Sequence, residues 1–155
     1  MSLRSKRTVF FVSASVVIAA ALILVALLEF PLSVTTTGPG GSVALGARLT
    51  VSPKTGAGSL NITVMDSSNY QFTSIAVTQV SPSLPGLAGN FPFKYDGLLV
   101  SSTNPLPVSG SATGSQLFSS SGVVGAEYNI TLSITYDGGK VFQDSIQNLY
   151  AFASP

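Results

Sequence analysis

From Thr8 to Phe30 the chain reads TVFFVSASVVIAAALILVALLEF, an apolar run whose only charge, Glu29, sits at its far end. At about 1.5 Å per helical residue this length crosses the roughly 30 Å hydrocarbon layer of a bilayer, so the run is expected to be a transmembrane helix. Arg4, Lys6 and Arg7 precede it. Cationic residues flanking a span are retained on the cytoplasmic side, which places residues 1–7 inside the cell and everything after Pro31 outside. Pro31 ends the helix, because its ring removes an N–H and disfavours the helical region for the residue before it. A cleaved secretory signal would have a shorter apolar core and a small-x-small cleavage site, and LLEFPLS offers none. Ser15, Ala19 and Ala26 fall on one helical face, and small side chains at that spacing let a second helix approach closely.

The next segment changes character. Residues 31–41 contain SVTTTGPGG, Thr-rich and then Gly-Pro-Gly-Gly, with no apolar period, and read as a linker. The glycines do not form a phosphate loop, which would need a preceding strand, a following helix and a Lys-Ser/Thr pair.

From residue 42 to residue 155 the apolar period becomes two. Val43, Leu45, Ala47, Leu49 and Val51 alternate with small or polar residues, as do Leu60, Ile62 and Val64. The clearest case is EYNITLSITY, where Tyr128, Ile130, Leu132, Ile134 and Tyr136 share one face. Strict alternation is what a strand with one buried face requires. Asp137-Gly138-Gly139 follows at once and supplies the positive φ angles of a tight hairpin. Lys140–Phe152 then returns as a strand, with a change of phase near Asp144 that predicts a bulge there. Further strands are expected over Tyr70–Val80, Phe91–Tyr95 and Leu98–Val100. About seven short strands at this spacing predict an all-β immunoglobulin-like sandwich behind an N-terminal transmembrane α-helix.

Composition narrows the function. Charged residues make up 8% of the chain, against about 25% in an ordinary soluble domain, and the net charge is +1. The four cations after Phe30 (Arg48, Lys54, Lys94 and Lys140) are scattered, so no phosphate-binding patch forms and nucleic acid is not an expected partner. With no His and no Cys, the usual donors for zinc, copper and haem are missing, and a serine nucleophile would have only Lys as a base. No Ser-x-x-Lys occurs. Asp137 and Asp144 could approach across the last hairpin as a carboxylate pair, although a turn Asp and an exposed strand residue account for both. Asp66 in DSSN and Asp96 in KYDG sit in turn settings. No catalytic, cofactor-binding or metal-binding residue is assigned, and no cofactor is expected.

Two Asn-Ile-Thr triplets, at Asn61 and Asn129, are N-glycosylation acceptors, and in both strands the Asn falls opposite the apolar set. The order of parts is a basic tip, a long apolar helix, a Thr/Gly linker and a low-charge β-domain. That domain ends in a G-x-x-Y-x-I/V-x-L-x-x-x-Y-x-x-G hairpin running from Gly125 through Tyr128, Ile130, Leu132 and Tyr136 to Gly139. This layout resembles the archaeal type IV pilin and archaellin-like superfamily. The resemblance implies helices that bundle into a filament core, β-domains that form a glycosylated sheath at the cell surface, and self-association through the N-terminal helix. The alternatives are a single-pass accessory subunit of a membrane complex and a lone membrane anchor that contacts a surface layer.

Overall fold

A computed structural model describes residues 32–33, 42–89 and 91–155 of the chain, and residues 32–33 by their backbone only. The residues of the basic tip and of the apolar run, including Arg4, Lys6, Arg7, Ser15, Ala19 and Ala26, lie outside the described residues, as do residues 34–41 of the expected linker. Among the described residues nine strands follow in chain order: β1 (Leu32–Ser33), β2 (Ser42–Val51), β3 (Gly58–Ser67), β4 (Phe72–Ser81), β5 (Phe93–Tyr95), β6 (Leu98–Leu99), β7 (Ser111–Phe118), β8 (Glu127–Tyr136) and β9 (Lys140–Ala153). Among the described residues there is no helix long and apolar enough to cross a membrane.

The alternation seen in the sequence sets the pairing. In β2 the side chains of Val43, Leu45, Ala47, Leu49 and Val51 are buried while Arg48 is exposed. β3 pairs with it antiparallel over its whole length, Leu49 opposite Leu60 and Ala47 opposite Ile62, so both apolar sets face one way. A one-residue slip would turn every one of them to solvent, which is what fixes the register. The turn between them is closed by Ser52, whose N–H donates to the Ala57 carbonyl at 2.7 Å and whose carbonyl accepts from Gly56 at 2.9 Å.

The strand order is β4-β8-β9-β2-β3-β7-β5-β6, with β1 beside β2. β9 holds the two halves together. Its first part pairs antiparallel with β8, and its last residues, Ala151–Ala153, pair parallel with Leu49–Val51 of β2. The sheet curls on itself through this long strand, giving a sandwich-like all-β unit with the apolar faces inward. Tyr128, Ile130, Leu132 and Ile134 of β8 lie in the same core as β2 and β3. Each such aliphatic side chain contributes about 1.5–3 kcal/mol by leaving water.

Both outer edges of the curled sheet are blunted. Phe72 of β4 exchanges backbone hydrogen bonds with Leu106 (3.0 and 2.8 Å), and the Gly89 N–H donates to the Val77 carbonyl at 2.9 Å. At the other edge the Asn104 amide nitrogen donates to the carbonyls of Tyr95, Leu98 and Leu99 at 3.2–3.4 Å. Each of these bonds takes up a backbone group that an open edge would offer to a foreign strand.

Three features differ from the sequence expectation. Leu32 and Ser33, in the segment read as linker, pair with Gly46 and Leu45 of β2. β7, not expected as a strand, pairs along β3 from Met65–Ser111 to Gly58–Phe118. The irregularity in the β8–β9 pairing lies between Tyr128 and Ile130, opposite Gln147 and Asn148, and not at Asp144, which sits in regular register with Leu132. The positive φ of Asn148, 56°, is where β9 absorbs the extra residue.

Candidate functional site

Outward-facing positions carry the features that bear on function. Asn61 stands exposed in the middle of β3, opposite Arg48 on β2 and Ser115 on β7. Thr63, two residues on and therefore on the same face, lies between Gly46 and Thr113. The neighbours are short apart from Arg48, so a group attached at Asn61 would meet little obstruction.

Asn129 is also exposed, on β8, opposite Ser81 of β4. Unlike Asn61 it has a backbone partner: its Oδ1 accepts the Asn148 N–H at 2.9 Å. That bond satisfies the donor left unpaired by the bulge. Asn129 thus combines an acceptor motif with a structural task that no local pattern signalled, since the bulge was expected elsewhere.

The carboxylates do not gather. Asp137, with φ of 42°, occupies the β8–β9 turn and accepts from the Lys140 ammonium at 2.6 Å. This hydrogen bond, reinforced by the opposite charge, holds the Lys140 pKa above its ordinary value. Asp144 is opposite Leu132, four residues along from the Tyr136–Lys140 pair, so roughly 13 Å of strand separates it from the turn. A glycosidase pair needs about 5–9.5 Å. Asp144 Oδ1 instead accepts the N–H of Ser145 at 2.8 Å. Among the described residues no group of three or more acidic, His or Cys side chains is placed to hold a metal.

Asp66, at the end of β3, has the turn setting expected of it but is also buried. It does form an Asx turn, with Oδ1 accepting the Ser68 N–H at 2.7 Å. Yet it is only 1% exposed, and Oδ2 has no hydrogen-bond partner. Burial pushes its pKa up, outweighing the opposing bonds to Ser68. The segment before β7 lies against it, and its Gly110 carbonyl accepts the Asp66 N–H at 2.9 Å. A contact across more than forty residues leaves no local trace in DSSN.

Exposed apolar side chains include Tyr150 and Phe152 on β9, whose rings meet edge-on at 5.0 Å, and Leu98 and Leu99 on β6. No protein-family model matches the chain, and no curated protein matches it.

Proposed function

We propose that the chain is a structural, non-catalytic, pilin-like surface protein with an external, glycosylated, immunoglobulin-like β-domain. In this reading residues 8–30 form a helix that packs into a filament core or anchors in the membrane lipid. The observation that carries the reading is the placement of the two acceptor triplets. Asn61 and Asn129 lie on different strands of the curled sheet, and both are on its solvent face. They stand on a surface rich in Ser, Thr, Asn, Gln and Gly, where charge contributes little to solubility and attached sugars would supply it. The apolar run before β1, with its basic tip, supplies the membrane half of the proposal.

The test is isolation of the full chain from native membranes, with intact-mass measurement. A pilin-like subunit would be recovered in filaments containing many copies, carrying the mass of attached glycans. Recovery as a single copy beside larger subunits would favour the accessory-subunit alternative. Recovery as an unassembled, unmodified monomer would leave only the anchor.

A further inference from the structure

Acid unfolds most proteins through two routes: carboxylates that are paired in the native state lose their partners, and buried neutral histidines acquire charge. Both routes are nearly closed here. The chain has no His. Among the described residues there is one ion pair, Asp137–Lys140, with both side chains well exposed, and an exposed pair adds little to stability. Glu127 and Asp96 are exposed. Complete protonation of the acids would leave the β unit with four cations, Arg48, Lys54, Lys94 and Lys140, set well apart in sequence.

The one buried carboxyl works in the opposite sense. Asp66 has one oxygen bonded to the Ser68 N–H and the other bare. Among the described residues, the segments around it bring no cation beside it. β2 opposes it with Val43, and of that strand only Arg48 is charged, five residues further on and pointing to solvent. β3 carries no other titratable group, β7 carries none, and neither does the Pro107–Gly110 turn. In the following turn the one titratable side chain is Tyr70, whose ring lies 5.2 Å from that of Tyr136, near the Asp137–Lys140 pair. An ionised Asp66 is therefore a buried charge with no counter-charge beside it among the described residues, whereas the neutral acid avoids that cost.

We propose that this β unit is built for an acidic medium, staying folded as pH falls toward the ordinary carboxyl range and gaining stability where the buried Asp66 takes up a proton. The sign follows from linkage. The folded-state pKa of Asp66 is raised above the ordinary carboxyl value of 3.8. Below 3.8 the side chain is protonated in both states and contributes nothing. Between 3.8 and the raised value, increasing pH ionises the unfolded chain first and stability falls. Above the raised value the loss is complete and constant. The inference concerns the β unit alone. It would survive a failure of the filament reading, though its biological use rests on the external location proposed above.

The experiment is urea unfolding of the full chain in a non-ionic detergent at pH 7, 5.5 and 4, followed by tyrosine fluorescence. The chain has no Trp and its five tyrosines (Tyr70, Tyr95, Tyr128, Tyr136 and Tyr150) all lie in the β unit, so the signal reports that unit only. The midpoint should rise toward acid, with the unfolding constant falling by up to about tenfold per pH unit, the limit for one proton. Asp66→Asn keeps an oxygen for the Ser68 N–H and cannot ionise. It should show the wild-type acid midpoint already at pH 7 and a flat profile. A wild-type midpoint that drops between pH 7 and 4 would overturn the proposal, whether or not the variant folds. A rise that persists undiminished in Asp66→Asn would equally overturn it, by removing Asp66 from the explanation.

Discussion

The side-chain oxygen of Asn129 accepts the backbone N–H of Asn148 at 2.9 Å, clamping β8 to β9 where one residue faces two. Asn61, in the same triplet on β3, shows no such tie. The two sites should therefore respond differently to substitution. Asn129→Ala is expected to lower stability by about 0.5–1.5 kcal/mol through loss of this bond. Asn61→Ala should stay within about 0.5 kcal/mol. Urea midpoints of unglycosylated protein measure the contrast, and equal effects would mean that the clamp contributes nothing.

Leu132 is fully buried in β8 while its neighbour Ser133 lies on the opposite face. Leu132→Ala should cost about 2–5 kcal/mol, because removed methyl groups leave a cavity that the surrounding strands fill only in part. Ser133→Ala should cost little. The same unfolding assay separates the two.

Two glycines are held by close approach. A Cβ on Gly58 would collide with the backbone oxygen of Thr50 and stand 2.6 Å from Cζ of Phe118, and one on Gly114 would strike the Phe91 ring and lie 2.9 Å from the Pro92 carbonyl. Alanine at either position should destabilise by about 1–3 kcal/mol. Gly58→Ala should be the worse, since its nearest obstacle is backbone and cannot rotate away. Thermal midpoints of the two variants give the ranking.

The proposed helix can be tested on its small residues. If residues 8–30 pack against copies of themselves, Ala19→Leu or Ala26→Leu should block assembly while the β unit stays folded. The added bulk holds two backbones apart and forfeits dispersion contacts along the seam. A helix facing lipid alone would accept either change, since Leu is favourable there. Co-purification of tagged with untagged copies reads the result, and undiminished self-association in both variants would count against the filament.

Strands whose inner face is large and aliphatic were legible in the sequence. β2, β3 and β8 show strict alternation, and the observed burial follows it residue by residue. β7 was not, because SATGSQLF turns Ala112, Gly114 and Phe118 inward, and the volume over Gly114 comes from Phe91, more than twenty residues away. The bulge in β9 was placed four residues early for a related reason. Phe142, Asp144 and Ile146 share one phase, and only the step from Ile146 to Leu149 breaks it. The outward placement of Asn61 and Asn129 followed from alternation alone. The clamp at Asn129 and the burial of Asp66 depend on partners from distant segments, which no local pattern reports.

The parallel pairing of Leu49–Val51 with Ala151–Ala153 has a mechanical meaning. Tension drawing the start of β2 and the end of β9 apart would pull two parallel neighbours in opposite directions along their own axes. The hydrogen bonds between them would then be loaded together in shear and would have to give way at once, whereas an antiparallel hairpin pulled at its open end releases one bond at a time. A unit joined this way resists traction applied between the start of β2 and the end of β9.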